Sequence, residues 1–130
     1  MAIVKAEEHH EELVKGMAEQ FKKILDKSPQ AIYLYMDDNH KTCNKKFATL
    51  LGYKSVSAWE KIDAPLADVV EAHQQKVIDA YMKASESLEA GAAKVTMKNV
   101  TTGELVKTSM IMVPVAYEGH VMTLHFISRV

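Results

Sequence analysis

The twelve residues from Thr42 to Tyr53, T-C-N-K-K-F-A-T-L-L-G-Y, leave few ways to fold. Asn44 suits the N-cap of a short helix, because its side-chain oxygen can accept an amide that the first turn leaves unpaired. Phe47, Leu50 and Leu51 then share one face at i, i+3, i+4 spacing. Gly52 has no Cβ, so it can enter the left-handed region at C′ and stop the helix, with Tyr53 folding back onto the last turn. Strand end, cap, short helix and stop make a fold signature and not a reaction signature.

The chain before this stretch carries one helix and one strand. From about Val4 to Lys27, Val14, Met17, Phe21 and Ile24 recur at steps of 3, 4 and 3, an a/d seam widened by Leu13 and Leu25. The seam is only about two heptads long, so the helix needs a partner surface, either its own domain or a second copy of the chain. His9 and His10 lie among Glu7, Glu8, Glu11 and Glu12 and read as solvent-facing, with no metal-ligand set at site spacing beside them. Ser28-Pro29 ends the helix. Ala31 to Met36 follows as a strand with Ile32, Leu34 and Met36 on one face and Tyr33 and Tyr35 on the other. The polar turn Asp37-Asp38-Asn39-His40 returns the chain through a short strand, Lys41 to Cys43.

Beyond Tyr53, Ser57 and Glu60 fit a capping box for a short helix. Pro65 opens the longest helix, which is expected to run to about Leu88 and to end at Gly91. Its stripe is Leu66, Val69, Val70, His73, Val77, Ala80, Tyr81, Ala84 and Leu88. The last forty residues alternate as three strands, Ala92 to Val100, Leu105 to Tyr117 and His120 to Val130, joined by turns at Thr101–Glu104 and Glu118-Gly119. In the last of them Met122, Leu124 and Phe126 oppose Thr123 and His125. Met110 to Val115 is apolar on both faces, which requires cover on both sides of the sheet, and the N-terminal helix is the candidate for the outer side.

With 130 residues, 48% of them hydrophobic, one domain with a real core is expected. Sixteen Lys and Arg against seventeen Asp and Glu leave no broad electrostatic footprint for nucleic acid or an acidic membrane. The single cysteine, Cys43, excludes an internal disulfide, and neither a signal peptide nor a membrane-length apolar run occurs, so a cytoplasmic location is expected.

Three motifs in order carry a family resemblance: A-I-Y-L-Y-M-D into a polar turn, N-K-K-F-A-T-L-L-G-Y, and the T-G…V-P-V…E-G spacing across Gly103, Pro114 and Gly119. Over about Phe21 to Val130 the chain resembles a PAS domain. The resemblance implies an α+β fold: a five-stranded antiparallel sheet flanked by short helices and one long helix, with residues 1–27 as an N-terminal amphipathic helix and 28–130 as the sensor domain. It also implies a small internal pocket, frequent dimerisation through the N-terminal helix, and a sensing or transmitting role rather than catalysis. I-D-A-P-L replaces the usual H-P-D-type segment, and F-I-S-R-V replaces the D-I-T-type ending that leads into an output helix.

On this reading a small apolar ligand lies between the long helix and the sheet, against Ile32, Leu34, Phe47, Leu50, Val70, His73, Val77, Val95, Met97, Met110, Met122 and Leu124. A homodimer uses Val14, Met17, Phe21 and Ile24 and reports to a signalling effector. His73 has two readings, a satisfied buried imidazole or a proximal haem ligand, since haem-binding members carry theirs on the corresponding helix. The second would make the chain a gas or redox sensor; a third alternative is a structural dimer module without ligand. No flavin-type N-C-R-F-L-Q motif surrounds Cys43, which reads as a buried inert thiol. No phosphate loop, activated nucleophile or helix-spaced histidine pair suggests an enzyme.

Overall fold

A computed structural model describes residues 2–130, and side chains from Glu7 onward; Met1, the start of the expected N-terminal helix, lies outside the described residues. The chain runs α1 (Ala2–Gln20), α2 (Lys22–Lys27), β1 (Ala31–Asp37), β2 (His40–Cys43), α3 (Lys45–Leu50) and α4 (Val56–Glu60), then α5 (Glu71–Ser87), β3 (Gly91–Lys98), β4 (Leu105–Tyr117) and β5 (His120–Arg129). The strands form one antiparallel sheet in the order β2-β1-β5-β4-β3. The α+β architecture is the expected one.

Asn44 joins three elements. Its Oδ1 accepts the Phe47 amide at 3.0 Å, capping α3, and the Ile32 amide at 3.1 Å, while its Nδ2 donates to the Gln30 carbonyl at 2.9 Å. Helix α3 then ends in a Schellman motif. The Tyr53 amide reaches the Ala48 carbonyl at 2.9 Å and the Gly52 amide reaches Thr49 at 3.1 Å, with Gly52 at φ 81°. A Cβ on Gly52 would press on the Asn99 side-chain amide, so another residue there must displace that group as well as adopt a left-handed backbone. Tyr53 reaches past the last turn and donates its hydroxyl to Asp68.

Two apolar layers sandwich the sheet. On one face Phe47, Leu51, Trp59, Val77, Ala80 and Ala84 from the helices pack on Tyr33, Val95, Met97, Met110, Met112 and Ile127. On the other, Leu13, Val14, Met17 and Leu25 pack on Ile32, Leu34, Met122 and Leu124. The N-terminal helix is therefore the outer cover that the two-sided apolar run of β4 calls for. The seam assigned to a dimer is largely spent within the chain: Met17 is 1% exposed and Val14 is buried, while Ile24 is 48% exposed.

Three local expectations are corrected. The cap of α4 is Ser55, whose Oγ accepts the Ala58 amide at 3.0 Å, in place of Ser57. Pro65 opens only a 3-10 turn, Pro65–Asp68; Val69 is extended and bridges Met97, and α5 starts at Glu71. The apolar period continues across this break because the turn and the helix lie on the same sheet, so period alone cannot locate it. Finally, α5 turns out at Leu88, which is 62% exposed at φ 55°, while Gly91 begins β3 where a Cβ would press the Ala80 carbonyl at 2.7 Å. Pro114 lies within β4, past the last β3 partner of that strand, where β4 has β5 as its remaining neighbour.

Replacing Asn44 with Ala removes the cap and leaves the Ile32 amide buried without a partner, so denaturant melts should show a loss of about 2–4 kcal/mol. Asn44→Asp, which keeps the acceptor oxygen, should lose less.

Candidate functional site

The side chains that gather at one place do so because β1 and β5 are neighbours and α5 crosses their helix-side face. Tyr33 on β1 is the register partner of His125 on β5, and the rings stack at 3.9 Å between centroids and 12° between planes. From α5, Tyr81 presents a ring parallel to His125 at 6.4 Å and edge-on to Tyr35 at 5.2 Å. Tyr35 donates its hydroxyl to Asp38 Oδ1 at 2.8 Å, fixing the β1–β2 turn against the strand. These groups, with Ala64, Pro65, Leu66, Val77 and Ile78, line a cavity of about 210 Å³.

The electrostatics of the cavity favour neutral forms. His125 is 2% exposed, and burial pushes its pKa down to about 3, with the Thr123 and Tyr33 backbone groups working the other way. Its Nδ1 lies 3.2 Å from the Thr123 carbonyl, which can only accept, so that nitrogen carries the proton. Burial also raises the Tyr33, Tyr35 and Tyr81 phenols above their ordinary range. Thr123 faces the same side opposite Tyr35, and its buried hydroxyl has no partner among the described residues. The cavity thus offers aromatic faces, aliphatic walls and hydroxyls. Asp38 is the one acidic side chain in its lining.

Of the residues assigned to a pocket from the sequence, Val77 lines this cavity. Phe47, Val95, Met97 and Met110 belong to the same helix-side core, with Leu50 at its margin, and pack without facing the cavity. Ile32, Leu34, Met122 and Leu124 are corrected to the opposite face, under α1. Alternation shows that β1 and β5 each have two faces but not which layer each face meets, and the aliphatic faces went to the cover helix. His125 was missed for that reason, since the apolar set on β5 pointed to the other side.

His73 is half-buried at the start of α5, where its Nδ1 accepts the Thr96 amide at 2.9 Å and the Val70 amide donates to the Thr96 carbonyl at 3.0 Å. Val70 and His73 therefore stitch α5 to β3 outside the cavity. A metal-bound imidazole ordinarily donates its other ring N–H, whereas here Nδ1 accepts and the neutral ring carries its proton on Nε2. A haem also needs far more room than about 210 Å³, so these residues do not fit it. Cys43 is buried and its thiol is pushed up to about 12, chiefly by burial, consistent with an inert side chain. Lys41, buried beside Trp59, donates to the Glu60 and Ile62 carbonyls at 3.2 and 2.8 Å and to the Asp38 carbonyl, an anchor for the loop after α4.

A wider groove of about 1140 Å³ lies elsewhere, along α2, α3 and the ends of β1 and β5. Lys45, Lys46 and Arg129 face Asp26 and Glu104 across it, a mixed-charge surface unlike the aromatic cavity.

A family model described as PAS domain matches residues 19–82. Among solved structures, the PAS domain of an HTR-like protein from Haloarcula marismortui superimposes with a TM-score of 0.65 at 13% identity, over 95% of this chain and 99% of that one. A PAS domain from Colwellia psychrerythraea gives 0.69 at 20% identity, over 88% and 97%. A domain of a sensory box sensor histidine kinase/response regulator from Geobacter sulfurreducens gives 0.63 at 11%, over 85% and 92%. Comparison with curated proteins finds no match. No helix among the described residues is long and apolar enough to cross a membrane.

Because His125 is neutral when folded and ordinary when unfolded, the unfolded chain binds more protons between about pH 3 and 6.5. Its contribution to stability is present above about pH 6.5 and falls toward pH 3, by at most about 1.4 kcal/mol per pH unit. Urea melts across that range should show a flatter profile for His125→Phe, which keeps a ring in the stack.

Proposed function

We propose that the chain, which matches the PAS domain model over residues 19–82 and has the PAS fold, is a sensory signal-transduction module whose input is a small, mostly apolar, planar molecule held between α5 and the sheet. The observation that carries the reading is the ring set Tyr33, His125, Tyr81 and Tyr35 around one cavity. Its volume of about 210 Å³ is below the roughly 300 Å³ at which drug-sized sites begin, which favours a molecule of one or two rings. The phenol hydroxyls supply hydrogen bonds to a neutral polar atom, and burial disfavours a net charge.

The route outward is β1 itself. Tyr33 and Tyr35 alternate along it with Ile32 and Leu34, and the latter two hold α1 on the outer face. A ligand that prefers one setting of the Tyr33 ring prefers one setting of the strand on which α1 rests. Coupling of this kind requires different affinity for the two settings, and its size is bounded by that difference. Output passes to a signalling effector through α1 and through self-association, for which Ile24 remains exposed while Val14 and Met17 are occupied by the sheet and Phe21 is partly buried against the same layer.

Native mass spectrometry of the purified chain, followed by titration with single-ring aromatics, should find a bound small molecule. Val77→Phe, which fills the cavity from α5, should weaken binding at least about tenfold, roughly 1.4 kcal/mol, while circular dichroism stays unchanged. Equal binding by that variant places the ligand elsewhere. For self-association, Ile24→Glu should reduce the mass in solution to that of a monomer without loss of fold; Met17→Glu should instead unfold the chain, because it buries a charge against the sheet.

A further inference from the structure

Four histidines that are far apart in sequence converge at one end of the sheet, away from the aromatic cavity. His10 comes from the middle of α1, His40 from the first residue of β2 and His120 from the first residue of β5, with His9 alongside. The His10 ring stands 5.4 Å from His40 and 5.5 Å from His120, and His9 stands 5.2 Å from His120. Asp37, the last residue of β1, lies among them. One ligand atom from each of His10, Asp37 and His40 falls within 4.8 Å of the others.

We propose that His10, Asp37 and His40 form a binding site for a divalent transition-metal ion of the zinc type, with the adjacent His120 ring as the nearest candidate for a fourth donor. His10 Nδ1 is 3.6 Å from Asp37 Oδ2, too far for a hydrogen bond. It is close to the roughly 3.4 Å that separates two ligands held at about 2.0–2.2 Å around a tetrahedral ion. The other carboxylate oxygen is already oriented: Oδ1 accepts the Asn39 amide at 3.0 Å and pairs with His40 Nδ1 at 2.6 Å. That turn aims Oδ2 toward α1 and restrains both ligands before an ion arrives, the role that outer hydrogen bonds play in metal sites.

The donor chemistry selects the ion. Imidazole nitrogens with one carboxylate suit zinc, nickel or copper, whereas calcium and magnesium require oxygen cages. His40 is largely buried and His10 and Asp37 are partly exposed, so the ion can enter from solvent. Because the ligands come from α1, from the β1–β2 turn and from the start of β5, occupancy fastens the cover helix to the sheet. The site is independent of the aromatic cavity, and failure of one reading leaves the other standing.

The test uses the full chain, stripped with a chelator and titrated with zinc chloride against a chromophoric competitor. One ion per chain is expected, with a rise in melting temperature. Affinity should fall by at least about tenfold in Asp37→Asn and in His40→Ala, and further in the pair His10→Ala with His40→Ala. The metal-free variants should still melt cooperatively, and in the paired variant zinc should no longer raise the melting temperature. Zinc binding that is equal in the paired variant, or no stoichiometric binding by the parent, overturns the proposal. A mass increase of one ion that persists in the paired variant counts as binding elsewhere and overturns it too.

Discussion

The side-chain amide of Asn44 is the point on which the helix layer depends. One oxygen holds the first turn of α3 and the backbone of β1, and one nitrogen holds the residue just before β1. A strand and a helix that share a capping group cannot move separately. The position of α3 then sets where Phe47 and Leu51 enter the core, and the Schellman end passes that position on to the β3–β4 loop. There the Val100 amide meets the Leu51 carbonyl at 2.8 Å and the Thr101 hydroxyl meets the Gly52 carbonyl. Both lateral parts of the sheet are thus registered against one short helix.

The other shared element is β1, which belongs to two cores at once. Its tyrosines enter the helix-side layer and its aliphatic residues the layer under α1. Interiors packed to crystal-like density do not absorb a shift at one surface without passing it on. The arrangement makes the strand a mechanical element between a small cavity and an amphipathic helix, with no need for the helix to touch the cavity.

What the sequence made legible was local. Asn44, Gly52 and the end of the first helical region at Lys27 follow from capping, backbone freedom and proline, each decided within a few residues. The order of elements carried the fold because the motifs are spaced as in its family. The sites are non-local. The faces of β1 were read correctly, yet which face meets α5 depends on where α1 docks, a choice that involves Met122 and Leu124 far along the chain. In the sequence His125 stands only as an alternate of an apolar set, and His9 and His10 as solvent-facing residues, because their neighbours arrive from β1, β2 and β5. Ser55 and Ser57 are both good caps by residue type, and the structure uses Ser55, with Trp59 buried from the helix it opens.

The strand order carries a temporal consequence. Strand β1 lies between β2, which follows it at once, and β5, which is nearly a hundred residues later. Until β5 is made, β1 has one open side, and α1 lacks Met122 and Leu124, which form part of the surface it packs on. During synthesis this amphipathic helix therefore stays partly uncovered until β5 has emerged. Closing the sheet is a long-range event, slow relative to the local turns and helices. The acidic outer face of α1, where Glu7, Glu8, Glu11, Glu12 and Glu19 are exposed, is then its protection against mispairing while it waits for the last strand.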